Sequence, residues 1–126
     1  MGYISQFSGQ LKTTRKLSYA EYVLLDETIK KSNLEGCLGI RKDNKTLSFW
    51  AECKCDANDI AQDLKNIMTF CNSHKLTING LIHAQGEGFH DLSCIKVIKN
   101  KILVLTGKVV YSKPVMYSLV QDVVNA

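Results

Sequence analysis

Within nine residues this chain carries two imidazoles and two carboxylates, His83, Glu87, His90 and Asp91, with Gln85 among them. Imidazole nitrogens and carboxylate oxygens are donors that divalent cations accept, and they are also the usual proton donors and acceptors of hydrolytic catalysis. If the loop folded them inward, these five residues would make a small metal-dependent or hydrolytic centre. Side-chain alternation sets His83 and Gln85 on one sheet face, while Gly86 and Gly88 leave Glu87 and His90 free to point in any direction. The competing reading is a turn-forming surface loop with no catalytic residues.

A second group is Cys53-Lys54-Cys55 with Cys71 and His74. Zinc asks for four convergent ligands in tetrahedral geometry, and this spacing matches no common ribbon or finger. Cys53 continues the apolar face of a strand and Cys71 the apolar stripe of a helix, which makes them small core residues. Cys94 with His83 and Asp91 has the composition of a nucleophilic triad without any local signature. The chain also lacks a GxGxxG after a strand, a P-loop and an HExxH. No metal and no cofactor is expected.

Trp50 is a candidate of another kind. It falls on the polar side of its strand beside Glu52 and Lys54, where an exposed tryptophan serves as an interface anchor. Were the strand of His83 and Gln85 its neighbour, all would share one outer surface. Lys96, Lys99, Lys101, Lys108 and Lys113, with Arg15 and Lys16, offer a basic patch, and they equally serve to guard strand edges. No RNA-recognition aromatic motif, helix-turn-helix or arginine-rich run accompanies them, so nucleic-acid contact is a third reading, weak in character.

The elements that must position these residues are legible from periodicity. Residues 3 to 12 alternate, with Tyr3, Phe7 and Leu11 on one face. Ser18 caps a helix, Glu21 completes a capping box and Leu17 staples to Tyr22; the helix carries Leu25 and Ile29 inward and ends near Ser32-Asn33. A short strand over 36–41, a turn at Asp43-Asn44 and a strand over 46–54 follow. Asp56 caps a second helix whose stripe is Ile60, Leu64, Ile67 and Cys71. Asn79-Gly80 reads as a bulge in one long strand in preference to a hairpin. Residues 93–99 and 102–111 pair as a hairpin around Asn100-Lys101. Residues 102 to 105 are all apolar, so that strand must be covered on both faces or pack against a partner.

The order βαββαβββ predicts an α+β fold in two layers: a mainly antiparallel sheet of about six strands with both helices on one face. Residues 1–114 form one domain, and 115–126 form a segment too apolar to lie idle. As a helix it would present Met116, Leu119, Val120 and Val123; as a strand, Val115, Tyr117 and Leu119. It docks on its own domain or on a neighbouring copy.

Composition bounds the rest. The 126 residues, 45% hydrophobic and 22% charged with a single proline, suit one globular domain with a real core. The net charge of +4 is uneven: 9 basic and 6 acidic groups in residues 1–55, 2 and 4 in 56–90, 5 and 2 in 91–126. The opening MGYISQFSGQ has neither the charged start nor the apolar run of a signal peptide, and Gln6 stands where a myristoylation signal needs Ser or Thr. An odd set of five cysteines, Cys37, Cys53, Cys55, Cys71 and Cys94, is scattered without a framework, so reduced thiols in an intracellular compartment are expected, and no disulfide.

GYISQFSGQL, LSYAEYVLL and LTINGLIHAQGEGFHDLSCIKVIKNKILVLTG resemble small proteins encoded by tailed phages and large DNA viruses of the marseillevirus kind. The shared pattern falls on Asn79, Gly80, Gln85, Gly86, Glu87, Asp91, Ile95 and Val97, while residues 33–56 depart from it. No activity attaches to that group, so the resemblance implies a viral origin alone. The expectation is a non-catalytic viral protein acting by association: a homodimer, virion component or host-interaction factor using Trp50, Glu52, Met116, Tyr117, Leu119, Val120 and Val123. Other viral or host proteins are the alternative partners, no membrane is involved, and the compartment is host cytoplasm, nucleus or virion.

Overall fold

A computed structural model describes residues 4–86, 92–110, 113–118 and 123–125, with side chains for 4–86 and 92–107. The elements are β1 (Ser5–Thr13), α1 (Tyr19–Lys30), β2 (Leu38–Ile40), β3 (Thr46–Cys53), α2 (Ala57–Ser73), β4 (Ile78–Gln85), β5 (Leu92–Ile98), β6 (Lys101–Val110), β7 (Lys113–Ser118) and β8 (Val123–Asn125). The expected α+β order runs unbroken to Val110, and two further strands extend it. All strand pairs are antiparallel, in the order β2-β3-β1-β4-β5-β6-β7, with β8 pairing β6 beyond the end of β7.

Local chemistry starts both helices. The Ser18 hydroxyl accepts from the Glu21 amide at 3.2 Å, and the Ser18 amide donates to the Glu21 carboxylate at 2.8 Å. Asp56 and Asp59 repeat the exchange at 3.0 and 2.9 Å. Two orphan amides are thereby satisfied at each helix start. The stripe of α2 that reads from the sequence, Ile60, Leu64, Ile67 and Cys71, is buried, and so are Leu25 and Ile29 of α1.

Both helices lie on one face of the sheet. Their stripes share a single core with Phe7, Leu11, Leu47, Phe49, Ile82, Ile95, Val97, Ile102 and Val104, inward residues of β1, β3, β4, β5 and β6. Each such side chain, once fully buried, contributes about 1.5–3 kcal/mol of transfer free energy. Phe7 and Phe49 meet edge to face with centroids 6.5 Å apart.

The centre of the sheet closes on two glycines. Gly9 pairs Ile82 and Gly80 pairs Leu11 across the β1–β4 ladder. A Cβ placed on Gly9 would stand 2.7 Å from the Ile82 Cα, and one on Gly80 would stand 2.7 Å from the Leu11 Cα. Only hydrogen fits there.

Three expectations are corrected and one open alternative is decided. The strand through Asn79-Gly80 is continuous and its register with β1 and β5 has no bulge, because the backbone approach at Gly80 is accommodated without an added residue. The β5–β6 turn is Lys99-Asn100 instead of Asn100-Lys101: Ile98 pairs Lys101, and φ is 48° and 67° at the two turn residues, as a two-residue primed turn demands. The segment after Pro114 is strand in its described parts: β7 and β8 both pair β6 of their own sheet.

The third correction concerns the thiols. Cys53 and Cys55 form a disulfide, against the expectation of none. A continuing strand would hold residues two apart at about 6.6 Å. Here β3 ends at Cys53 and the chain bends toward the Asp56 cap, which brings the two Cα atoms to 5.4 Å, close to the commonest disulfide separation instead of near its upper limit. Cys37, Cys71 and Cys94 are free.

Candidate interaction surface

The sheet face turned away from the helices is built by strict alternation. One cross-strand row runs from β3 to β6: Trp50 opposite Ser8, Ser8 opposite His83, His83 opposite Cys94, and Cys94 opposite Leu105. Glu52, Gln6, Gln85, Leu92 and Gly107 form the next row, and Ser48, Gln10, Leu81, Lys96 and Leu103 form the one on the other side. Trp50 and His83 therefore share a surface, with β1 lying between their strands.

This face changes character across its width. At the β3–β1 end it is polar: Gln6 donates to Glu52 at 2.9 Å and Arg41 to the Ser48 hydroxyl at 3.2 Å. Trp50 stands among these groups 62% exposed. Toward β6 the face turns apolar. A depression of about 700 Å³ opens there, lined by Leu81, Cys94, Ile98 and Leu105 with Asn79, Gly80, Lys96 and Val97. The apolar run of β6 explains it. Ile102 and Val104 are buried against the helical layer, whereas Leu103 and Leu105 point outward and remain half-exposed.

Among the described residues, the chemistry-bearing side chains do not assemble into a catalytic site. His83 and Gln85 are exposed on β4 as alternation predicts. Glu87, His90 and Asp91 lie outside the described residues, as do Leu119 and Val120. Met116 and Tyr117 sit on β7 and Val123 on β8, all in strands joined to β6. Cys71 is fully buried on α2, and burial pushes its thiol up to about 12. His74 caps α2 and stacks on Phe70, with ring centroids 4.2 Å apart. With Cys53 and Cys55 joined to each other, those four residues offer no zinc tetrad. Among the described residues no group of three or more His, Cys, Asp or Glu is placed to hold a metal.

Cys94 is a directly opposed cross-strand neighbour of His83. Its thiol is raised by burial, an effect the nearby Lys96 charge partly offsets, so it is held as a thiol where a nucleophile would need the thiolate.

Sequence reasoning set Trp50 on the outer face and marked 102–105 as apolar on both sides, but it did not reveal the groove, whose outward Leu103 and Leu105 stay half-exposed among the described residues. Leu81, Ile98 and Leu105 look like ordinary strand residues in isolation, and only the register sets them side by side. The available signal was the unbroken apolar run 102–105, which has twice the apolar surface a one-sided sheet needs.

The fold and surface define a two-layer α+β protein with an open, partly apolar sheet face. Comparison with protein-family models, with curated proteins and with solved structures gives no match in any of the three. Among the described residues no helix is long and apolar enough to cross a membrane.

Proposed function

We propose that this is a non-catalytic protein that works by protein association through the outer face of its sheet, from Trp50 to Leu105. The observation that carries the reading is β6. Its inward Ile102 and Val104 are covered by the molecule's own helices, while its outward Leu105 lines an apolar depression on the same sheet face as the exposed Trp50. Exposed apolar surface of this kind, rimmed by polar groups, is the usual mark of a contact site. A role in a viral particle or against a host factor is consistent with the pattern shared with phage and large-virus proteins.

The test is the native mass of the protein in extracts of the cells that produce it, beside that of the purified chain. Association predicts a complex heavier than the 14.1 kDa monomer in extract. It also predicts that the double variant Trp50→Ala, Leu105→Gln sediments as monomer with unchanged circular dichroism. A wild-type chain that sediments as monomer in extract overturns the reading. Doubling of the purified chain identifies the partner as a second copy.

A further inference from the structure

Charge on the outer face is one-sided. Among the described residues β1, β4, β5 and β6 carry no carboxylate at all, and their outward lysines converge on the groove. Lys96 lines it. Lys12 is paired with Asn79, and Lys101 with Ile98, two more of its lining residues. All three lysines are exposed, and none has an ion-pair partner among the described residues. The one outward carboxylate of β3, Glu52, lies at the far end and is engaged by Gln6. Of the other described carboxylates, Glu21, Asp26 and Glu27 sit on α1, Asp59 and Asp63 on α2, and Glu35, Asp43 and Asp56 in connections outside the strands.

We propose that the groove receives an acidic amphipathic helix of another protein, whose apolar stripe packs on Leu81, Ile98 and Leu105 while its flanking carboxylates meet Lys96, Lys12 and Lys101. The proposal rests on the association reading and names the partner's chemistry. The molecule already shows the arrangement on its inner face, where α2, acidic and striped with Ile60, Leu64, Ile67 and Met68, covers the other side of the same strands. A second helix opposite would add a third layer and cover the apolar side chains that this face leaves open.

Two other occupants fit less well. A second copy stacked face to face would set these lysines against their own equivalents with no carboxylate from the four strands to answer them, and like charges across an interface are costly. A nucleic-acid strand would find a lining that is mostly aliphatic, with one lysine in it, where phosphate tracking needs a basic groove and stacking platforms.

The probe is a fluorescein-labelled peptide of about 18 residues, long enough to hold helix, built of Leu, Ala and Glu with leucines at i, i+3, i+4 and i+7 spacing. Its control replaces every Glu by Lys. The acidic peptide binds the wild-type protein at least about tenfold more tightly than the basic one, a gap that narrows with salt. Lys96→Glu and Lys101→Glu, both exposed and folded by their unchanged melting temperature, reverse the preference, and Leu105→Gln weakens binding of the acidic peptide about tenfold. Equal binding of the two peptides, or a preference that survives Lys96→Glu, overturns the proposal. So does a single-stranded thymidine oligonucleotide that binds more tightly than the acidic peptide and is lost in the lysine variants. A heavy native complex without charge-selective peptide binding defeats the partner assignment alone, whereas a monomeric native mass defeats the association reading beneath it.

Discussion

The side-chain amide of Asn100 donates to the Asn72 side-chain carbonyl at 2.8 Å, joining the β5–β6 turn to the last turn of α2. The same amide donates to the Leu76 carbonyl at 2.7 Å, and its oxygen accepts from the Ile78 amide at 2.6 Å. One buried side chain thus ties the helical layer, the entry to β4 and the tip of the hairpin that carries the groove. Asn79 adds a second link, its oxygen accepting from the Lys99 amide at 2.9 Å. The groove's floor is held in register by these two asparagines.

Asn100 also adopts φ 67°, a left-handed conformation that asparagine tolerates and glycine enjoys. Asn100→Gly therefore keeps the turn while removing three hydrogen bonds, leaving the Ile78 amide and the Leu76 carbonyl short of partners. The expected cost is about 3 kcal/mol, since each buried group left unsatisfied costs about 1–3 kcal/mol. Urea unfolding measures it. A loss below about 0.5 kcal/mol would mean that water replaces the side chain without penalty.

Gly9→Ala and Gly80→Ala should each destabilise by about 3 kcal/mol or more, because the added methyl meets main chain that cannot rotate away. Gly39, where a Cβ meets nothing within 4 Å, is the internal control, and Gly39→Ala should change stability little. Comparable effects at all three positions would refute the close approach of β1 and β4.

What could be read from the sequence was what depends on near neighbours. Ser18 with Glu21, and Asp56 with Asp59, signal their helices because each partner lies three residues away. Trp50 could be assigned to the outer face because alternation is local to β3. Gly9 and Gly80 gave no such signal, since their reason for being glycine is each other's strand. Asn79 read as the site of a bulge and Asn100 as a turn former, but their side chains act on partners that only the tertiary fold brings near. The segment after Pro114 was ambiguous because its apolar residues satisfy a helical and a strand period alike, and pairing with β6 decides between them. The Cys53–Cys55 link escaped notice because alternation assumes that the strand continues, and it stops at Cys53.

Arg15 grips Glu21 through two contacts, 2.9 and 2.8 Å, and also reaches the His74 carbonyl at 3.0 Å, so the start of α1 is fastened to the end of α2. The Arg15 hydrogen bonds, with the Ser18 amide second, hold the Glu21 carboxyl down from 4.5 to about 2. A carboxyl that binds its proton less readily in the folded than in the unfolded chain stabilises the fold wherever it is ionised in both. The advantage of wild type over Glu21→Gln is therefore full above pH 4.5, shrinks as the pH falls, and is gone below about 2. Unfolding free energies of the two proteins across this range decide it, and a difference that stays constant with pH would show that the ion pair contributes nothing.

The five cysteines should divide into three reactivity classes under alkylation without reductant. Cys53 and Cys55 are protected as a disulfide, native or denatured. Cys37 is half-buried and should react slowly in the native protein, whereas Cys71 and Cys94 are buried and held as thiols, so they should react only on unfolding. Mass spectrometry of the denatured, unreduced chain should then find three adducts, at Cys37, Cys71 and Cys94, and five after reduction. Five before reduction would show the Cys53–Cys55 pair to be open. Because that link closes a ring of only three residues, loop-closure entropy assigns it no more than about 1.6 kcal/mol. Cys53→Ser with Cys55→Ser should accordingly leave a folded protein of slightly lower stability, with the groove and its peptide affinity intact, since β3 lies at the opposite end of the outer face.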